Sequence, residues 1–92
     1  MASIDEHCQD CMKELGEPFR EVHEWLDEFF PTMEFHHRIV RHHVRGVEEA
    51  ESLFGPRGRL AAEIHIKKDC YGKIPTLEEA TFWDMLTGPS LV

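Results

Sequence analysis

The sequence predicts an all-α fold, a compact single domain (residues 1–92) of four to five helices with a long central helix rich in histidine. Three observations support this prediction. Helix-capping sequences occur near both ends of the chain, apolar residues recur at spacings of three and four, and glycine or proline separates the helical stretches. No second convincing strand is present that could pair with the one ambiguous stretch. A chain of 92 residues has room for one domain.

The first two helices have clear signals at their ends. Ser3-Ile4-Asp5-Glu6 is a capping box, in which the Ser and Glu side chains each accept a hydrogen bond from a free backbone N–H group, and Gly16 ends the first helix. The apolar face of this helix consists of Ile4, Cys8, Cys11, Met12 and Leu15. The second helix runs from about Pro18 to Phe30 and ends before Pro31.

The remaining helices follow the same logic. Thr32 caps a third helix from about Met33 to Phe54, and residues 55–58 form a turn. Residues 59–70 suit either a strand or a helix, and we expect a helix because a strand would have no partner. A second capping box, Thr76-Leu77-Glu78-Glu79, begins a last helix that reaches about Leu86.

Charge and composition exclude several classes of function. Ten basic residues against eighteen acidic ones give a net charge of −8, which argues against nonspecific binding of duplex nucleic acid. No apolar run is long enough to span a membrane, and the acidic N-terminus is unlike a signal peptide. Three cysteines without a framework spacing predict a reduced, cytoplasmic protein.

Seven histidines are the anomaly in a domain of this size. If the third helix is continuous, His43 faces the core and His42 and His37 border it. Two further histidines are each followed by an aspartate four residues later. These pairs are His23/Asp27 and His65/Asp69. At this spacing on a helix the two side chains can converge on one ion, or the carboxylate can orient the imidazole.

We therefore expect an internal site for a transition metal. The candidate ligands are His23, His37, His42, His43, His65 and Asp69, with Asp27 and Glu63 as residues that orient them. Only three or four of these can bind one tetrahedral ion, and the sequence does not choose among them. A set of nitrogen and oxygen donors suits Zn, Mn or Fe better than Ca or Mg.

Three segments carry a resemblance to a known family. They have the patterns H-x-W-L-D in 22–27, H-R-x-x-x-H-H-x-x-G in 37–46, and E-x-H-x-x-x-D-x-x-G-x-I-P-T in 63–76. The sequence resembles a family of small bacterial and phage proteins classed as a domain of unknown function. The likeness extends from Glu6-His7 to Thr76 and the helix after it, and it places every histidine except His36 on a motif position. The resemblance implies no activity.

Three functions compete for these residues. A bound metal ion could activate water for phosphoester hydrolysis, although the adjacent His-Asp pair typical of helical phosphohydrolases is absent. A metal-free site for a nucleotide or another small phosphate ligand would use Arg38, Arg41 and Arg45 together with the histidines. The third alternative is a polar network that only fixes how the helices pack.

Cysteines and aromatic residues suggest two further features. Cys8 and Cys11 could complete a zinc site with Cys70 and His7, but both lie on an apolar helix face, where small buried side chains are expected. Phe82 and Trp83 are adjacent and cannot both face one core, which predicts a homo-oligomer.

Overall fold

The computed structural model describes residues 3–28, 41–70 and 72–81, and all regular structure in these ranges is helical. Three helices have defined bounds: α1 (Ile4–Leu15), α2 (Arg20–Leu26) and α3 (Val44–Asp69). Residues 77–81 are also helical and are labelled α4. The predicted all-α fold with one long helix is confirmed.

Helix α1 has the predicted ends. The Ser3 hydroxyl accepts a hydrogen bond from the Glu6 N–H at 3.2 Å, and the Glu6 carboxylate accepts one from the Ser3 N–H at 3.2 Å. Gly16 adopts a left-handed conformation (φ 80°) that a residue with a Cβ rarely takes, and its N–H donates to the Met12 carbonyl. The buried face of the helix holds His7, Cys8 and Cys11, so this helix brings an imidazole into the interior.

Helix α2 is shorter than predicted among the described residues. It begins after Phe19, whose φ of 52° is outside the helical region, and it ends at Leu26. The carbonyl of Trp25, in the last turn, accepts a hydrogen bond from Arg41 Nη1 at 2.6 Å. This contact adds a side-chain donor to a carbonyl at the helix end, which also accepts from the Glu28 N–H, and it attaches residue 41 to α2.

Helix α3 starts later than predicted. The backbone is not helical at His42 and His43, and His43 is the extended N-cap residue, with its Nδ1 accepting from the Gly46 N–H at 3.4 Å. The continuous helix expected from about Met33 to Phe54 is therefore wrong at residues 42–43. A close approach explains the break, because a Cβ at Gly46 would lie only 1.7 Å from the Arg41 carbonyl oxygen. Only glycine permits this tight turn.

The predicted turn at 55–58 is a kink inside α3. Gly55 has φ 82° and ψ 179°, a combination restricted to glycine, and Pro56 follows at a position typical of the first turn of a helix. The helix then continues to Asp69, which confirms the helical interpretation of the ambiguous stretch.

The C-terminal described segment is tied to the start of α3. Thr76 and Glu79 form the predicted capping box, with both hydrogen bonds at 3.1 Å. The Pro75 carbonyl accepts a hydrogen bond from the Val44 N–H at 2.9 Å, next to the non-helical residues 42–43.

The core lies between the three helices, which all pack against one another. Its buried apolar members are Cys11, Val22, Leu26, Val47, Ala50, Ala61, Ala62, Ile66 and Cys70. Many of these side chains are small, so the helices approach closely and bring their polar residues together. Within the described ranges, no helix combines the length and apolar content needed to cross a bilayer.

Candidate metal centre

Six polar side chains meet in the interior between the helices. The four imidazoles are fully buried, and the two carboxylates are 9% (Asp27) and 6% (Asp69) exposed. They come from α1, from α2 and its C-cap, from the break before α3, and from the end of α3, and they are His7, His23, Asp27, His42, His65 and Asp69. Burial of so many titratable groups is costly unless each is paired or a cation is bound.

Four of these side chains form the tetrad, which consists of Asp27, His42, His65 and Asp69. Nε2 of His65 lies 3.2 Å from Nε2 of His42 and 3.2 Å from Oδ1 of Asp27. Nε2 of His42 lies 3.4 Å from Asp27 Oδ1 and 3.4 Å from Asp69 Oδ2. Asp69 Oδ2 is also 3.4 Å from Nε2 of His65.

These distances match a tetrahedral coordination shell. Four ligands bound to Zn²⁺ at about 2.0–2.1 Å stand about 3.3–3.4 Å apart at the corners of a tetrahedron. Five of the six edges of the tetrad measure 3.2–3.4 Å. Two carboxylate oxygens and two imidazole nitrogens are also suitable donors for a divalent transition metal. The tetrad could therefore hold a metal ion at its centre.

Three imidazoles form a second group, the His triad, which consists of His7, His23 and His65. Nδ1 of His23 lies 3.0 Å from Nδ1 of His65, and Nε2 of His23 lies 3.0 Å from the Pro18 carbonyl oxygen. The ring of His7 stacks on the ring of His65, with centroids 3.6 Å apart and planes 15° apart. His65 thus belongs to both groups and uses a different nitrogen in each.

Burial and charge shift the pKa values of this cluster in opposite directions. Burial, together with the neighbouring His65 and His7, lowers the pKa of His23 to about 4, so this ring is neutral at pH 7. Burial also disfavours a charge on His65, but its hydrogen bonds to Asp27 and Asp69 outweigh burial and raise its pKa.

Burial and neighbouring groups also act in opposite directions on the pKa of the Asp69 carboxylate. Burial alone would raise its pKa, yet contacts with His42, His65 and His7 hold the pKa well below its usual range. Asp69 is therefore an anion in the interior, with imidazoles around it. Such a group is stabilised by a cation at the centre of the tetrad or by protons on the imidazoles.

Local sequence positions two pairs of these residues. His65 and Asp69 are four residues apart in α3, and helical geometry places them on one face. His23 lies in α2, and Asp27 is the C-cap of that helix, four residues later. His42 lies in the non-helical turn before α3. This turn is possible because Gly46 has no Cβ and the Arg41 carbonyl can approach it closely.

The structure brings together four of the predicted ligands, which are His23, His42, His65 and Asp69. Asp27, expected only to orient an imidazole, contacts His42 and His65 directly. His43 is buried but caps α3 and belongs to neither group, because the break turns its side chain toward Gly46.

The other predicted residues have different surroundings. Glu63 lies 3.8 Å from Arg59 and outside both groups. Arg41 donates to the Trp25 carbonyl and to Glu28 Oε1, and its guanidinium lies 4.2 Å from the centre of the Trp25 ring. Arg45 is exposed on α3. His37, Arg38, Phe82 and Trp83 lie outside the described residues.

His7 is the site residue that the sequence-based ligand set omitted. Its Nε2 lies 3.4 Å from Asp69 Oδ1, and neither of its ring nitrogens has a hydrogen-bond partner within the described residues. The sequence feature that could have identified His7 is its position in α1, one residue before Cys8 and four before Cys11, which places it on the buried face. His7 differs from His23 and His65 because a cysteine, Cys11, and not an aspartate stands four residues later.

The cysteines do not join either group of potential ligands. Cys8, Cys11 and Cys70 are buried and form no disulfide bond with one another. Burial raises the pKa of Cys11 to about 12 and also raises that of Cys8, so both are protonated thiols at pH 7. They act as small apolar side chains in the core.

Comparison with known proteins identifies a family whose description names no function. A family model described as a domain of unknown function, DUF6915, matches residues 2–86. No curated protein and no solved structure matches the sequence.

Proposed function

This chain belongs to the DUF6915 family, described as a domain of unknown function, and from the geometry of the site we propose that it binds one divalent transition-metal ion, with Zn²⁺ as the preferred ion. The ligands are Asp27 Oδ1, His42 Nε2, His65 Nε2 and Asp69 Oδ2. The observation that carries the proposal is the set of five distances of 3.2–3.4 Å between these four atoms. Their agreement with the edges of a zinc tetrahedron is the main support.

Electrostatics support the same assignment. The two carboxylates contribute a charge of −2, and a divalent ion neutralises it inside a region where the four side chains are 0–9% exposed. Mg²⁺ and Ca²⁺ prefer six or more oxygen ligands, which this set lacks. Among transition metals, Zn²⁺ accepts a closed tetrahedral shell most readily.

The role that fits this centre is structural. Four protein ligands complete a tetrahedron, and a catalytic zinc site instead keeps one position open for water. The metal would join the C-cap of α2 (Asp27), the break before α3 (His42) and the end of α3 (His65 and Asp69), which are far apart in the chain. We therefore favour a metal-stapled domain over a phosphoester hydrolase.

The phosphate-ligand alternative has less support. Of the three arginines that it needs, Arg41 is held by Trp25 and Glu28, and its contacts explain its position without a ligand. The polar-network alternative predicts the same contacts without a metal, and the experiment below separates the two.

The test is a titration of the purified, chelator-treated protein with Zn²⁺ and with Co²⁺. We expect one equivalent of Zn²⁺ to bind and Co²⁺ to show the intense visible absorption of a tetrahedral complex. His42→Ala and Asp69→Asn should lose this binding, whereas Glu63→Gln, in the same helix as Asp69 but outside the tetrad, should retain it. A folded wild-type protein that binds no Zn²⁺, or that gives the weak spectrum of octahedral Co²⁺, would contradict the proposal.

A further inference from the structure

Two consecutive hydrogen bonds extend from the tetrad to the protein backbone. His65 Nδ1 lies 3.0 Å from His23 Nδ1, and His23 Nε2 lies 3.0 Å from the carbonyl oxygen of Pro18. Both rings are fully buried. The chain of contacts therefore runs from His65 through His23 to a fixed backbone group just before α2.

The chemistry of these groups determines where the protons lie. A carbonyl oxygen only accepts, so Nε2 of His23 carries the hydrogen. A neutral imidazole has one N–H, so Nδ1 of His23 is an acceptor, and the hydrogen shared with His65 must belong to His65 Nδ1. With Nδ1 keeping its hydrogen, Nε2 of His65 is the nitrogen that gives up its hydrogen and offers a lone pair when a metal binds, and it is the atom that faces Asp27, His42 and Asp69.

We propose that His23 is a positioning residue for the metal centre: it accepts the Nδ1–H of His65 and so keeps the Nε2 lone pair of His65 directed into the tetrad. This inference rests on the proposed metal binding. Outer hydrogen bonds of this kind fix the tautomer and the ring orientation of a metal-binding histidine, and their loss weakens metal affinity. His23 itself does not touch the metal.

The alternative use of His23 is as a ligand in a second metal site formed by the His triad. The stacking of His7 on His65 argues against it. The ring planes are 15° apart and the centroids are 3.6 Å apart, and imidazole lone pairs lie in the ring plane. Lone pairs in two nearly parallel, separated planes cannot both point at one ion. His23 Nδ1 would also need His65 Nδ1 to give up its hydrogen.

The experiment compares two substitutions of similar size at residue 23. His23→Asn places an amide oxygen near the former Nδ1 and keeps the acceptor, whereas His23→Leu removes it. Zn²⁺ affinity is measured by competition with a chelator. We expect His23→Leu to bind Zn²⁺ about 10- to 100-fold more weakly than wild type, and His23→Asn to recover most of the loss. The Co²⁺ spectrum of both variants should stay tetrahedral.

Two measurements keep the test independent of folding. In the Zn²⁺-loaded wild-type protein, ¹⁵N NMR should detect His65 with its hydrogen on Nδ1 and a coupling across the hydrogen bond to His23 Nδ1. The stoichiometry should be one equivalent of Zn²⁺ in the wild type and in both variants.

Different results would reject the positioning role of His23 and the proposed metal binding. A wild-type protein that binds no Zn²⁺ overturns both. A wild-type protein that binds one tetrahedral equivalent, with equal affinity in His23→Leu, overturns the positioning role alone. Two equivalents in wild type and one in His23→Leu would make His23 a ligand and also overturn it.

Discussion

At the scale of single residues, His65 is the centre of the site. Its Nε2 faces the other members of the tetrad, its Nδ1 contacts His23, and its ring stacks on His7. The sequence pointed to His65 through the aspartate four residues later, but nothing in that spacing shows which nitrogen faces which neighbour. That assignment depends on the Pro18 carbonyl, which belongs to a different part of the chain.

The low pKa of His23 predicts a pH-dependent stability of the metal-free protein. The folded pKa, about 4, is below the ordinary value of 6.5, so the unfolded state binds the proton first as the pH falls. The stabilising contribution of neutral His23 to the unfolding free energy is fully present above pH 6.5 and is lost as the pH falls toward 4. We expect the unfolding free energy to fall by about 3 kcal/mol between pH 7 and pH 4, because each pKa unit between the folded and unfolded states corresponds to about 1.4 kcal/mol.

Urea unfolding of the chelator-treated protein between pH 7 and pH 4 measures this effect. His23→Asn has no group that titrates at this position, so its unfolding free energy should fall less steeply than that of the wild type. Parallel pH profiles for the two proteins would show that His23 does not contribute.

At the scale of helices, the break between Arg41 and Val44 decides how the site is built. Sequence periodicity predicted one helix through this region, and on a continuous helix His43 would face the core. The close approach of Gly46 to the Arg41 carbonyl allows a turn instead. His42 then joins the tetrad, and His43 becomes the cap of α3. A propensity argument does not detect such a turn, since it depends on one missing Cβ.

Gly46→Ala is expected to damage both the fold and the site. The new Cβ would lie 1.7 Å from the Arg41 carbonyl oxygen, and backbone must move to relieve the overlap. The expected loss is about 3 kcal/mol of unfolding free energy, at the upper end of overpacking effects. Thermal unfolding followed by circular dichroism measures it.

The matched control for this substitution is Gly16→Ala. Gly16 has a positive φ but no atom within 4 Å of the added Cβ, and it lies at the end of α1, away from the tetrad. It should lower stability by only about 1 kcal/mol and leave Zn²⁺ affinity unchanged. Equal effects of both substitutions would contradict the role assigned to Gly46.

At the scale of the whole molecule, the polar cluster fills part of the interior between the three described helices, where apolar side chains would otherwise pack. A domain of about 90 residues buries a limited apolar surface, and several core members are Ala or Cys. A metal that joins distant segments would compensate, because it binds the folded chain and not the unfolded one.

Metal removal is therefore expected to lower the thermal stability markedly. With free Zn²⁺ at about 1,000 times its dissociation constant, binding contributes about 4 kcal/mol, which corresponds to a shift of roughly 15–30 °C in Tm for a domain of this size. Differential scanning calorimetry with and without a chelator tests this, with Asp69→Asn as the control that should not respond. An unchanged Tm in the wild type would indicate a polar network without a metal.

The sequence by itself determined the helical class, the capping boxes at Ser3 and Thr76, and the His65/Asp69 pair, because each depends on residues a few positions apart. Helix geometry relates such residues directly, whatever the rest of the chain does. Only the tertiary structure decided that His7 joins the cluster, that His43 does not, and that five donor distances match one tetrahedron. Those facts depend on how separate helices pack, and the packing follows from small core residues and one close backbone approach.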